Sequence, residues 1–391
     1  MRKILFITST RADYGLLKSL MYEVKFCEHF QLQVLVTGSH LSKHHGHTVD
    51  EIIKDSFVAN FKIKMNLTKD KPCDIVEAMG NELIQFASAY DVLKPDMIVV
   101  LGDRYEILVA VQAANIYTIP VSHFCGGDIS EGSYDNNTRH AITKLSHLHF
   151  ATNKHSVKRI IQMGENPKNV FNYGNPGLEL LVNFKATDEH KLEKILNTRL
   201  KLRNIVVVYH PDTLNYNGRD IDELVSAIEH FANNSNIYLL RSNCDNNNNI
   251  IHEKFNKLAK HKNIYYYNSL ERIHFLSLVY YSDIFVGNSS SGIYEIPFLN
   301  KYVINIGNRQ GGRLKSNLVI DCEPNRDEII LNIEKYSNAY IGKVIHPYPL
   351  LETSKLFIKK LIEIDNFKKL LKKSFYIYND DRYSHQRAVG F

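Results

Sequence analysis

The sequence lacks the features that mark several classes of protein. Its five cysteines are scattered, at positions 27, 73, 125, 244 and 322, and no C-x-x-C pair occurs. This excludes a zinc knuckle and a disulfide framework, and free thiols are typical of a reducing cytoplasm. No long linker rich in glycine, proline and serine is present. The pattern G-x-G-x-x-G does not follow the first predicted strand, so we predict no bound NAD.

Long hydrophobic runs and a strong charge of one sign are also missing. The first apolar run, residues 4–7, ends at a polar segment, residues 8–10. It is too short for a signal peptide or a membrane span, and we interpret it as a strand. The net charge of +6 is small and dispersed, which suits an anionic small ligand better than nucleic acid. We therefore expect a cytoplasmic protein without membrane insertion.

The hydrophobic pattern predicts an α/β protein with two domains, residues 1–180 and 181–369. The chain has 391 residues, 44% of them hydrophobic, which is enough for two cores of ordinary size. Short apolar runs alternate with helical patterns, as in parallel sheets. A Lys-rich amphipathic helix over 354–373 either packs back across the domains or lies on a membrane surface. The predicted strands are residues 4–7, 32–36, 97–101, 119–124, 147–149, 170–173, 205–208, 237–240, 283–286 and 302–306.

The segment 287–295 is the most informative. It follows a predicted strand and opens a helix with Ser289, Ser290 and Ser291. Backbone N–H groups and the positive end of a helix bind anions in such turns. Glu295, one turn later, is placed to hold a ribose diol. The alternative, serine caps without any ligand, is equally compatible with this segment alone.

Polar loops at other strand ends supply further candidates, because open α/β sheets bind ligands there. Arg11 follows the first strand and either contacts a phosphate or is a surface arginine. Asp103 follows residues 97–101 and is either a helix N-cap or an acid–base group. Capping requires neither Gly102 before it nor Arg104 after it, so we favour acid–base chemistry.

Three more loops carry candidate side chains. The glycine-rich loop after residues 119–124 contains Asp128, Glu131 and Asp135, and long polar loops on a rigid sheet commonly carry function. His210 precedes a proline that fixes its turn, which favours a placed side chain over a structural histidine. Arg309, in a glycine-rich loop after 302–306, is predicted to bind a diphosphate. Four histidines between residues 40 and 47 have no suitably spaced acidic or cysteine partner, so we predict no metal there.

Several segments in this order resemble one family, the hydrolysing UDP-N-acetylglucosamine 2-epimerases of bacterial sialic acid synthesis. The resemblance implies a GT-B architecture, that is, two Rossmann-like α/β/α domains with a cleft between them. UDP would be held mainly by the second domain, and a C-terminal helix, about 370–391, would cross back to the first. The matching segments are residues 8–15, 101–106, 139–144, 209–211, 287–295 and 305–310.

The implied reaction converts UDP-GlcNAc and water into N-acetylmannosamine and UDP. UDP would be lost across C1–C2 to give a glycal, which is then hydrated with C2 inverted. No metal and no cofactor is implied, and the partners would be a UDP-sugar and UDP. Apolar helix faces in the first half suit a homodimer or higher oligomer. Alternatives are a 2-epimerase of another nucleotide-activated amino sugar (legionaminic acid type), a non-hydrolysing epimerase, a GT-B glycosyltransferase and a non-catalytic binding protein.

The resemblance also implies roles for individual residues. Acid–base work falls to Asp103, Asp135 and His210. Many relatives carry glutamate where this chain has Cys125, and we expect Asp128 to supply the missing acid. The alternatives are that Glu131 replaces it, or that water and His123 do part of its work. UDP contacts are implied for Arg11, Arg104, Arg139, Asn243, Ser289, Ser290, Ser291, Glu295 and Arg309.

Overall fold

The computed structural model describes residues 1–42, 47–65, 72–130, 135–200, 203–211, 218–241 and 248–377. These residues form two compact units. Unit 1 lies within Met1–Asp128, Asp135–Pro176 and Leu351–Phe391, and unit 2 within Ile129–Tyr134 and Gly177–Leu350. The domain boundaries predicted from the sequence, 1–180 and 181–369, stay a prediction, since the units are defined by compactness alone.

Unit 1 is built on a parallel sheet flanked by helices. In the described residues its strands are β1 (Arg2–Thr8), β2 (Phe30–Val36), β3 (Phe61–Lys62), β4 (Met97–Leu101), β5 (Val121–Phe124), β6 (Leu148–Ala151) and β7 (Val170–Asn172). Its helices are α1 (Arg11–Phe26), α2 (Val49–Lys54), α3 (Pro72–Leu93), α4 (Tyr105–Ile116), α5 (Asp135–Leu145) and α6 (Lys154–Gln162). The order is β3-β2-β1-β4-β5-β6-β7. Strands are added in one direction from β1 to β3 and in the opposite direction from β4 to β7, so the strand order reverses between β1 and β4. Ligands bind at such a switch point in open α/β sheets.

Unit 2 repeats this topology. In the part of the chain that is described, its strands are β8 (Asn204–Val208), β9 (Asn236–Leu240), β10 (Ile264–Tyr267), β11 (Ile284–Gly287), β12 (Tyr302–Ile306) and β13 (Val319–Cys322). Its helices are α7 (Glu179–Val182), α8 (Glu189–Leu196), α9 (Arg219–Phe231), α10 (Asn248–Leu258), α11 (Arg272–Tyr281), α12 (Ser290–Tyr294) and α13 (Arg326–Ser337). The order β10-β9-β8-β11-β12-β13 places the switch point between β8 and β11.

The central strands are buried on both faces, which explains their nearly continuous apolar sequences. Every residue of β4 and β8 is buried, and all strand pairs are parallel. This is the burial expected of a parallel sheet covered by helices on both sides. The prediction of an α/β protein with two parallel sheets is confirmed, although three short strands (β3, β10 and β13) were not predicted.

The last helix, α14 (Thr353–Ile362), follows unit 2 in sequence but belongs to the core of unit 1. The ring of its Phe357 is fully buried, with centroids 5.1 Å from those of Phe124 and Phe150. The apolar face of the helix is therefore covered by protein, which argues against the membrane-surface alternative.

The single helix predicted over 354–373 is wrong. Helix α14 ends at Ile362, and a 3₁₀ helix occupies Phe367–Leu371 after Asn366, whose side chain accepts from the Lys368 N–H. Asn and Asp side chains compete with helical backbone bonds in this way. Residues 372–377 are not helical, and the rest of the helix predicted at 370–391 lies outside the described residues. Among the described helices, none has the length and hydrophobicity needed to span a bilayer.

Candidate active site

At the carboxyl end of β1, a capping box starts helix α1. The Thr10 hydroxyl accepts from the Asp13 N–H, and the Asp13 carboxylate accepts in turn from the N–H groups of Ser9 and Thr10. This reciprocal arrangement satisfies N–H groups that have no partner within the helix. Arg11, the first helical residue, forms a 3.1 Å ion pair with Glu51 and keeps half of its side chain exposed. Its guanidinium is thus fixed at the strand end but remains accessible.

At the end of β4, Asp103 does not cap a helix. Gly102 has a φ of +86°, and the N-cap of α4 is Arg104, whose side chain makes no capping bond. The N-cap alternative for Asp103 is therefore wrong. Its carboxylate instead accepts from an Nη2–H of Arg139 on α5.

Arg139 joins two of the predicted acids. Its side chain is 4% exposed. Besides its bond to Asp103, it donates from Nη1 to the backbone carbonyl of Asp128 at 3.0 Å. A guanidinium presents its donors in a planar fork, so two such bonds fix both partners relative to α5. The structure therefore brings Asp103, Asp128 and Arg139 together.

The carboxylate of Asp128 faces the start of α6. Its Oδ1 accepts from the Thr152 hydroxyl at 2.7 Å, from the Ser156 hydroxyl and from the Asn153 amide. Asp128 itself is nearly buried. This oxygen is held by three donors, and the arrangement fixes the loop after β5.

His123, an alternative for the missing acid, is fully buried beneath this loop. Its Nε2 lies 2.8 Å from the carbonyl of Gly102, and because a carbonyl only accepts, Nε2 carries the proton. Burial lowers the pKa of His123 to about 3, despite the opposing hydrogen bond to Gly102. A neutral imidazole therefore supports the Gly102–Asp103 turn from inside.

Arg104 has a buried partner that the sequence did not reveal. Its Nε and Nη2 donate to the two carboxylate oxygens of Glu106, at 3.2 and 2.9 Å, and Glu106 is 1% exposed. Burial alone would lower the pKa of Arg104, but the charge of Glu106 raises it, so the guanidinium stays charged. Asp135, the first residue of α5, contributes to the same electrostatic field.

In unit 2, the end of β11 requires glycine. Gly287 has a φ of +133°, and a Cβ on it would lie 2.0 Å from the Val208 carbonyl oxygen. The chain then turns into α12, where Ser289 is the N-cap and its hydroxyl accepts from the Ser291 N–H at 3.4 Å. The predicted turn from strand to helix, with serines at the helix start, is thus present.

Asn288 links this turn to the neighbouring strand end. Its amide accepts from the N–H of His210 at 2.7 Å and donates to the carbonyl of the same residue at 2.8 Å. The Asn288 carbonyl accepts from Gln310 at 2.7 Å and from Arg309 at 3.3 Å. Asn288 therefore holds His210 and the loop after β12 at the switch point of unit 2. A polar residue directly after a buried strand was the signal for it in the sequence.

Glu295 is paired with Arg272, the first residue of α11, which also donates to the Gly177 carbonyl at 2.6 Å. Of the predicted site residues, Asn243 lies outside the described residues, as does Glu131. No set of three His, Cys, Asp or Glu side chains suited to a metal occurs among the described residues, and His44 and His45 fall outside them.

The sequence matches one known protein family over most of its length. The model of the UDP-N-acetylglucosamine 2-epimerase family matches residues 23–361. The chain belongs to this family. Within the family it is 37% identical over 329 residues to GDP/UDP-N,N'-diacetylbacillosamine 2-epimerase (hydrolyzing) of Campylobacter jejuni, covering 83% of this chain and 85% of that protein. It is 36% identical over 335 residues to polysialic acid biosynthesis protein P7 of Escherichia coli, covering 85% of each.

Solved structures of UDP-GlcNAc 2-epimerases share the fold. The Neisseria meningitidis enzyme bound to UDP-GlcNAc superposes with a TM-score of 0.76 at 18% identity, covering 93% of this chain and 100% of that one. The Methanocaldococcus jannaschii enzyme in complex with UDP-GlcNAc and UDP has a TM-score of 0.76 at 17% identity, covering 93% and 100%. The predicted fold class, two Rossmann-like domains of GT-B type, is confirmed.

Proposed function

We propose that this family member is a hydrolysing 2-epimerase that converts UDP-GlcNAc and water into N-acetylmannosamine and UDP. The observation that carries the proposal is the pairing of Asp103 with the buried Arg139 at the switch point of unit 1. Two relatives at 37% and 35% identity, from Campylobacter jejuni and Legionella pneumophila, are hydrolysing 2-epimerases by name. The product would enter sialic acid and surface glycan synthesis in the cytoplasm.

In this proposal, unit 2 supplies most of the contacts to the nucleotide. A departing diphosphate is stabilised best by donors that are fixed before the reaction. The start of α12 supplies N–H groups and serine hydroxyls, and Asn288 holds Arg309 beside them. Glu295, already ordered by Arg272, would accept from a ribose hydroxyl. The proposed UDP ligands remain Arg11, Arg104, Arg139, Asn243, Ser289, Ser290, Ser291, Glu295 and Arg309.

The chemistry needs a base and an acid. In the first step a base removes the C2 proton, the C–H electrons form the C1=C2 bond, and the C1–O bond breaks to release UDP. In the second step water adds its oxygen to C1, and a proton returns to C2 from the opposite face. We assign this work to Asp103, Asp135 and His210, with Asp128 holding the loop as well as being a candidate acid. A positioned acid–base group typically contributes about 10²–10⁴-fold.

The names of two relatives favour a second candidate substrate. The Campylobacter jejuni and Legionella pneumophila relatives are 2-epimerases of N,N'-diacetylbacillosamine linked to a nucleotide. That sugar carries the same 2-acetamido group, so the elimination and hydration at C1 and C2 would be unchanged. We therefore propose UDP-N,N'-diacetylbacillosamine as the alternative substrate.

Incubation with each UDP-sugar in deuterated water, followed by proton NMR, tests the proposal. We expect free UDP and a free sugar of inverted C2 configuration that carries deuterium at C2. A UDP-linked epimer without release of UDP would instead show a non-hydrolysing epimerase. An unchanged donor in the absence of an acceptor would favour a glycosyltransferase, or a binding protein if UDP still binds. The more rapidly converted sugar identifies the substrate.

A further inference from the structure

Glu82, in the middle of α3, is a buried acid that no role assigned above uses. It is 0% exposed. One carboxyl oxygen, Oε1, contacts the hydroxyl of Thr37 at the end of β2. The other, Oε2, is buried and has no hydrogen-bond partner among the described residues. An ionised carboxylate in such a place would be costly, because a buried charge needs compensation from several donors.

The hydrogen bonds at Thr37 indicate where the proton lies. The Thr37 Oγ1 is 3.1 Å from the carbonyl oxygen of Ile63 as well as in contact with Glu82. A hydroxyl has one proton to donate, and a backbone carbonyl only accepts. If Thr37 donates to Ile63, Glu82 must donate to Thr37, which requires the neutral carboxylic acid. The pKa of Glu82 is raised to about 8, and burial is the largest cause; the charge of Glu106 also raises it, whereas the Thr37 hydroxyl and the charge of Arg104 lower it.

Thr37 connects Glu82 to the candidate site. The next residue, Gly38, has a φ of +57° and packs closely at the end of β1. A Cβ on it would lie 2.6 Å from the Ser9 carbonyl oxygen and 3.2 Å from Oε1 of Glu106. Glu106 is the carboxylate that binds Arg104. The turn after β2 therefore lies between Glu82 and the Glu106–Arg104 pair.

We propose that Glu82 is a positioning residue that acts as a neutral acid, donating its proton to Thr37 and so fixing the turn at Gly38 against Glu106. Arg104 then keeps Glu106 as its carboxylate partner, and its remaining N–H groups would be available to an anionic ligand. The inference rests on the proposed function, in which Arg104 contacts UDP. Among the described residues, the ionisable groups that act electrostatically on Glu82, or on which it acts, are Glu106 and Arg104 at the start of α4 and Tyr90 on α3.

Ionisation of Glu82 has two consequences in this arrangement. The carboxylate would take the Thr37 proton away from the Ile63 carbonyl, which releases the turn. It would also add a second negative charge near Glu106, which draws the Arg104 guanidinium inward and away from a phosphate. Raising the pH should therefore weaken the binding of UDP through Glu82.

Calorimetry with UDP tests this, using the isosteric Glu82→Gln variant, whose amide imitates the neutral acid. We expect the affinity of the wild type for UDP to fall about three- to tenfold between about pH 7 and about pH 9.5. We expect the affinity of Glu82→Gln for UDP to equal that of the wild type at neutral pH and not to fall as the pH rises. Glu77→Gln, an exposed position on the same helix, is the matched control and should behave as the wild type. An equal alkaline loss in the wild type and in Glu82→Gln would overturn the inference.

Infrared spectroscopy of the wild type provides a measurement that needs neither activity nor a variant. A protonated carboxyl band should persist at neutral pH and disappear as the pH rises through about 8. Its absence at neutral pH would overturn the inference, whatever the enzyme does. If the band is present but UDP does not bind at any pH, the proposed function fails, and the coupling of Glu82 to UDP binding fails with it.

Discussion

Arg139 on α5 binds the carboxylate of Asp103, 36 residues earlier in the chain, at the end of β4. The same guanidinium holds the carbonyl of Asp128, so one buried side chain organises two loops at the switch point of unit 1. A carboxylate that is oriented by an arginine but still one-quarter exposed can meet a substrate without rearrangement. Asp128 differs from Asp103 in this respect, because its carboxylate Oδ1 accepts hydrogen bonds from side chains at the start of α6.

The variant Asp103→Asn should abolish turnover without affecting the nucleotide. The amide keeps the shape of the side chain but removes its basicity, so we expect kcat to fall by about 10²–10⁴-fold. The affinity for UDP, measured by calorimetry, should stay within about twofold of the wild type, because Asp103 is not one of the proposed UDP ligands and most of these belong to unit 2. Normal turnover of this variant would remove Asp103 from the acid–base chemistry.

Much of the fold was predictable from local patterns. Strand β4 was predicted at 97–101 and β12 at 302–306, because a run of buried apolar residues between polar loops leaves few alternatives. The end of α14 was not predicted, because a capping asparagine competes with the apolar spacing of the next turn. Strand β10, Ile-Tyr-Tyr-Tyr, is only partly buried and lacks the apolar signal.

The sequence predicted which residues lie at the candidate site, but not which of them are hydrogen-bonded to one another. Strand ends indicated Arg11, Asp103, Arg104 and His210, since parallel strands bring their carboxyl ends to one edge. The bonds of Asp103 to Arg139, and of Asn288 to His210, join residues 36 and 78 apart in sequence. Such pairs depend on the tertiary positions of two elements, which one sequence does not specify. The resemblance implies a UDP contact for Arg139, which stays a prediction, and no role was predicted for Glu106.

Substitution of Arg139 tests whether this residue positions the acids or binds UDP. In Arg139→Lys the single ammonium cannot reach Asp103 and the Asp128 carbonyl in the same fork geometry. We expect kcat to fall at least about tenfold, and the free energy of unfolding to fall by about 1–3 kcal/mol, because one buried acceptor loses its donor. The affinity for UDP should be unchanged if Arg139 positions the acids. A selective loss of UDP affinity with normal kcat would instead support the role as a nucleotide ligand.

The combined variant Ser290→Ala, Arg309→Ala should weaken UDP binding. Both side chains lie beside Asn288 at the switch point of unit 2, and a charge-assisted bond to a phosphate contributes about 1.5–3 kcal/mol. We expect the dissociation constant for UDP to rise at least about tenfold, measured by calorimetry. Arg326→Ala, which removes a half-exposed arginine at the start of α13, is the control. An unchanged affinity would rule out this loop as the phosphate site.

The oligomer predicted from the sequence is testable on α3. Its residues Val76 and Ile84 are 68% and 70% exposed, and Leu83 is 41% exposed, an apolar face of the kind that protein interfaces cover. We propose that a second copy of the chain covers it. Light scattering should show a dimer for the wild type and a monomer for Leu83→Lys, Ile84→Lys. The control Leu331→Lys alters an exposed residue of α13 and should remain dimeric. A monomeric wild type would refute the proposal.

Acid should destabilise unit 1 through Glu165. Its buried carboxylate bonds to His149, Lys144 and Lys373, at 3.1, 2.6 and 2.9 Å. Burial raises its pKa, but these three partners outweigh burial and lower the pKa from 4.5 to about 2. The unfolded chain therefore takes up a proton at a higher pH than the native one. The stabilisation is fully present above about pH 4.5 and is lost as the pH falls towards about 2.

Denaturant titrations across this range give the size of the effect. We expect the contribution of Glu165 to the free energy of unfolding of the wild type to fall by about 1 kcal/mol by about pH 3.5. It should fall by about 3 kcal/mol once the native carboxylate is protonated. Glu165→Gln should lack this part of the acid dependence, and Lys373→Met should reduce it. Lys372→Met, at an exposed position, is the control. Because Lys373 also donates to the carbonyls of Lys144 and Ser146 at the end of α5, its loss should loosen the helix that carries Arg139. An acid dependence identical in Glu165→Gln and the wild type would show that the carboxylate contributes nothing.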